Sequence, residues 1–91
     1  MKVRVCMPDH VHARIQERGG DPASVAAAAR RAARAVLPRL HRPRKVAVET
    51  ERLPVVPVVQ IFPGKNPPRA VVKTVLPPTA PSLRRMEVVY V

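Results

Sequence analysis

The spacing of apolar residues changes character near residue 44. Before it the dominant period is helical, and after it residues alternate. Residues 1–6 alternate, with Val3 and Val5 facing one way and Lys2, Arg4 and Cys6 the other, which predicts a short strand with one wet face. From His10 to Gly19 nothing breaks a helix, and Val11 and Ile15 form an apolar stripe beside His10, Arg14 and Arg18, which are spaced i, i+4, i+8. A helix over about 9–18 is expected, with Asp9 as its cap and Gly19-Gly20 as its stop. Asp21-Pro22 opens a second helix, since aspartate caps and proline suits the first helical position. In that helix Val25, Ala28, Ala29, Ala32 and Val36 share one face, and Arg30, Arg31 and Arg34 the other, before the run ends near Pro38.

Strands are expected at about 45–52, 55–62, 69–76 and 86–91. Pro57 predicts an edge or a bulge in the second of these, and Pro63-Gly64 is set for a type II turn. Ala70 to Leu76 reads as the best central strand, with Lys73 on an open face beside Val71 and Val75. Residues 77–82 form an exposed connection. The order β-α-α-β-β-β-β gives a single α+β domain over 1–91. Its two N-terminal helices are expected to pack on one face of a mainly antiparallel sheet of four or five strands.

Composition narrows the partners more than the fold. Hydrophobic residues make up 46% of the chain, too many for a disordered polycation, and aromatics only 2%, so the core must be Val, Leu, Ile and Ala. The net charge of +11 points to nucleic acid first, and otherwise to an anionic membrane surface or an acidic protein. Cys6 is the one cysteine, which excludes an internal disulfide and a cysteine zinc site, and it is expected in the core. No stretch has the length and apolarity of a membrane span or a leader, so a cytoplasmic protein without a membrane partner is expected. The three glycines form no phosphate-binding motif and the acids are scattered, so neither a metal nor a cofactor is expected.

The helix row is the leading chemical feature. Guanidinium groups bind phosphate oxyanions and an imidazole exchanges protons near neutral pH, so His10, Arg14 and Arg18 have the types that metal-independent RNA cleavage uses. The competing reading is a solvated face on which Arg14 or Arg18 pairs with Glu17, Glu49 or Glu51. His12, two positions from His10, points elsewhere, which argues against a two-histidine metal site. The densest basic run, with Arg39, His41, Arg42, Arg44 and Lys45, contains no acid and is either a nucleic-acid contact or an exposed connector. With Phe62 and Tyr90 the only aromatics, stacking-based single-strand recognition is disfavoured.

The His10-x-x-x-Arg14-Ile15-x-Glu17-Arg18-Gly19 helix resembles the hallmark His-Ala-x-x-Arg-Met-x-x-Arg-Gly helix of a family of small bacterial domains. Those domains are similar to the BrnT and RelE toxins of the barnase/RelE-like ribonuclease fold. Val71 to Leu76 is similar to that family's late strand, which adds Thr74 beside Lys73. RelE-type toxins place a tyrosine or arginine near the C-terminus, where this chain has Arg84, Arg85 and Tyr90. The resemblance implies an RNA-directed toxin-like protein, a metal-independent endoribonuclease with His10, Arg14 and Arg18 at its centre and an acidic antitoxin as partner. Two alternatives stay open. One is a non-catalytic nucleic-acid-binding or regulatory protein, such as a phage might encode. The other is an interaction module whose valine-rich edge strand pairs with a partner or with a second copy as a homodimer.

Overall fold

The computed structural model describes residues 2–91; Met1, the first residue of the expected N-terminal strand, lies outside the described residues. The elements follow the expected order: β1 (Arg4–Cys6), α1 (Asp9–Glu17), α2 (Pro22–Val36), a 3-10 turn (Leu37–Arg39), β2 (Arg44–Glu49), β3 (Val56–Phe62), β4 (Arg69–Leu76), a 3-10 helix (Pro81–Arg85) and β5 (Val88–Tyr90). The fold is α+β, with both helices against one five-stranded sheet of order β1-β4-β3-β2-β5. The sheet is mixed. The pairs β2/β3 and β3/β4 are antiparallel, whereas β1/β4 and β2/β5 are parallel. The parallel pairs arise because the helical segment and residues 77–87 are crossovers, far longer than hairpin loops.

The helices bury the predicted residues. Val11 and Ile15 are buried on α1, and Val25, Ala28, Ala29, Ala32 and Val36 on α2, joined by Ala33. Alanines on α2 let its backbone approach the sheet, against a core of Val46, Val48, Val59, Ile61, Val72 and Val75. Gly19 stops α1 with φ of 78°, which glycine adopts at little cost. Gly20 follows because a Cβ there would lie 2.9 Å from Ile15 Cγ2.

Several local expectations are corrected. Pro8 stands at the N-cap of α1 and Asp9 is its first residue, with no side-chain capping bond. Asp21 does cap α2 by position, but its carboxylate accepts a hydrogen bond from the Ser24 hydroxyl rather than from the backbone. Arg30, on the face opposite the apolar one, is half-buried, and its Nε donates to the Val3 carbonyl at 3.5 Å. Cys6 is half-buried in register with Val71, outside the main core, because Val3 and Val5 take the helix-facing positions of that stretch. The Pro63-Gly64 turn is not type II, since among the described residues only Gly19 has positive φ.

Pro57 does not mark an edge, for β3 is the middle strand. The bulge is there instead: Val58 pairs with Thr74 and Val59 with Val72, leaving Lys73 as the extra residue of β4. Pro57 is tolerated because the β2 ladder ends at Val58, so no bond is lost to that neighbour. The bulge also shifts the alternation. Val71 is half-exposed while Val75 is only 1% exposed in the core, so Lys73 does not sit between two residues of one face.

The face away from the helices has two halves. Ala47, Val56 and Val58 lie on it by register, yet they are 0%, 3% and 2% exposed. Residues 77–87 must pass β3 and β2 to reach β5, a course that accounts for this burial, with Leu83 and Met86 half-buried and Pro78 lining one cleft with Val56. Among the described residues, no segment of the crossover reaches the other half, toward Arg69, Phe62 and Lys45, where Arg69 and Lys45 are exposed and Phe62 is half-buried.

Candidate nucleic-acid interface

The three residues of the expected helix row do not behave alike. His10 and Arg14 are exposed, and among the described residues neither side chain makes a hydrogen bond or ion pair. Arg18 lies one residue beyond α1, and its guanidinium donates to the Val75 carbonyl at 3.2 Å. That bond fastens the end of α1 to β4, so Arg18 is a brace whose remaining N–H groups alone face outward. Neither Glu17, Glu49 nor Glu51 takes up Arg14 or Arg18.

The basic run ahead of β2 holds Arg39, His41, Arg42 and Arg44 around a shallow depression of ≈ 330 Å³. Arg39 and Arg42 are exposed, while Arg44 pairs with Glu87 at 3.5 Å, an acid supplied from just before β5. Lys45 is exposed opposite Gln60. Lys73 is exposed at the bulge and Thr74 half-buried opposite Val58. Arg84 and Arg85 are exposed on the 3-10 helix that follows β4. Tyr90 is 75% exposed, in register with Glu49, and borders a cleft with Glu49, Glu51 and Arg52.

These residues do not form one site. Both ends of α1 are tied to the sheet end where β1 and β4 finish: Asp9 follows β1, and Arg18 reaches Val75 near the end of β4. The run from Arg39 to Lys45 belongs to the opposite end, where β2 begins. Tyr90 sits with acids, away from that run.

Charge is segregated along the strands. Asp9, Glu17, Asp21, Glu49 and Glu51 all lie at or next to the end where β1, β2 and β4 finish. At the end where these strands begin stand Arg4, Arg44, Lys45 and Arg69, with Lys65 in the turn before β4 and Glu87 bound to Arg44. Arg4 and Arg69 were not singled out by sequence reasoning. Alternation put Arg4 on the wet face, but only the parallel β1/β4 pairing sets it abreast of Arg69. Among the described residues no helix is long and apolar enough to cross a membrane. Compared with known proteins, the chain matches no family model, no curated protein and no solved structure.

Proposed function

We propose that this is an RNA-directed, toxin-like protein that binds phosphodiesters through its exposed cations and cleaves them with groups on α1. The observation that carries the reading is the open pair His10 and Arg14, exposed and uncommitted on a helix anchored by buried Val11 and Ile15. His10 would take the proton from a 2′-hydroxyl as its oxygen attacks phosphorus. The 5′-oxygen leaves with a proton from solvent, giving a 2′,3′-cyclic phosphate and a free 5′-hydroxyl. Arg14 offsets charge on the phosphate oxygens as the phosphorus becomes five-coordinate. The same positive surface fits a small acidic antitoxin-like partner.

The test is RNA cleavage in the presence of a chelator. Cleavage is expected with the native chain, lowered about 10²–10⁴-fold in His10→Ala and strongly reduced in Arg14→Ala. Salt-steep binding without cleavage replaces the enzyme with a non-catalytic RNA-binding protein. Failure to bind RNA at all sinks both forms.

A further inference from the structure

The uncovered half of the sheet holds a row that the sequence scatters over three strands. Arg4 of β1 is in register with Arg69 of β4, and Arg69 is in register with Phe62 of β3. Adjacent strands lie about 4.8 Å apart, so the two guanidinium stems are close neighbours and the second flanks the ring. Both arginines are exposed and Phe62 is half-buried. Lys45, two strands from Arg69 on the same face, is exposed opposite Gln60. No carboxylate lies among them, and Glu87, the one acid at this end, is bound to Arg44.

Two like charges abreast in paired strands destabilise a sheet, and here no acid offsets them. The fold gains nothing from this pair, whereas a polyanion laid across it would relieve the repulsion. A ring beside the guanidiniums offers a flat surface to a base whose flanking phosphates the arginines hold, the pairing of stacking and charge that single strands need. A folded acidic protein would engage the cations but has no use for the ring.

Resting on the RNA-binding reading above, we propose that this sheet end is a single-strand platform: Phe62 stacks one base while Arg4, Arg69 and Lys45 hold the phosphates around it. It lies away from His10 and Arg14, so it positions the strand rather than cleaving it. It also reverses the expectation from aromatic content, because one ring suffices when register sets cations beside it.

The probes are a fluorescein-labelled 2′-O-methyl-uridine 10-mer, which lacks the attacking hydroxyl, and an abasic oligomer of equal length and charge. The native chain should bind the base-bearing strand more tightly. Phe62→Leu should remove that preference, a loss of about fivefold or more, with binding of the abasic strand unchanged. The double variant Arg4→Ala, Arg69→Ala should lower the slope of log affinity against log salt by about 1.4. Arg52→Ala, beside Glu49 and Glu51 at the acidic end, should change it by less than about 0.7. Arg69→Glu should weaken binding while raising the melting temperature by about 1–5 °C. Equal binding of both oligomers, an unchanged slope in the double variant, or a lower melting temperature in Arg69→Glu would overturn the platform while leaving RNA binding standing. If the native chain binds neither oligomer, the RNA-binding reading falls with it.

Discussion

Where β1, β2 and β4 finish, the molecule is fastened: Arg18 bonds to the Val75 carbonyl, Gly20 seats against Ile15 and Val55, and five of the six acids gather. Where those strands begin, Arg4 and Arg69 stand abreast, Lys45 is exposed and Phe62 is half-buried. The same strands thus run from an end that closes the fold to an end that leaves charge unsatisfied. A chain of 91 residues has a thin core, and here the closure is concentrated at one end. The opposite end then tolerates a repulsive arrangement that only a partner would favour.

Substitutions of the buried and bracing residues at the closed end should act on stability and leave RNA affinity per folded molecule alone. The largest effect is expected for Ile15→Ala, since Ile15 is 0% exposed and joins α1 to the core. Urea denaturation should show a loss of about 2–5 kcal/mol. Gly20→Ala should cost about 1–3 kcal/mol in the same measurement, because the new methyl meets Ile15 and must displace it. The finest comparison lies within the α1 row. Arg18→Ala should cost about 1 kcal/mol through the lost bond to Val75, and Arg14→Ala should stay within about 0.5 kcal/mol while impairing RNA cleavage. If Arg14→Ala proves as destabilising as Arg18→Ala, the row is a structural brace throughout and the contrast between the ends loses its functional side.

Period and punctuation made most elements legible. The apolar face of α2 was readable from Val25 to Val36, and β4 was bounded at 69 and 76 because turn-forming prolines flank an apolar run. Gly19 was readable as a stop because a positive φ suits it. Shifts in alternation were not readable. Lys73 looks like one polar residue in a regular strand, and only pairing with Val58 and Val59 reveals that it is extra and that Val71 and Val75 part company. The 3-10 helix Pro81–Arg85 was hidden in a proline-rich connection whose course depends on where β5 docks. For the site, the exposure of His10 and Arg14 followed from helical spacing beside Val11 and Ile15. The diversion of Arg18 to Val75 did not, because the acceptor lies 57 residues away.

By itself the sequence determined the two α-helices and the strands, the helix faces that bury, the aliphatic core and the strong positive charge, because each depends on neighbours a few positions apart or on composition. The tertiary structure alone decided which strands meet, which face the crossover covers, and that Arg4, Arg69 and Phe62 form one row apart from the acids. Those are outcomes of pairing between distant segments, and register between distant strands is set by the packing of the whole sheet rather than by any local pattern.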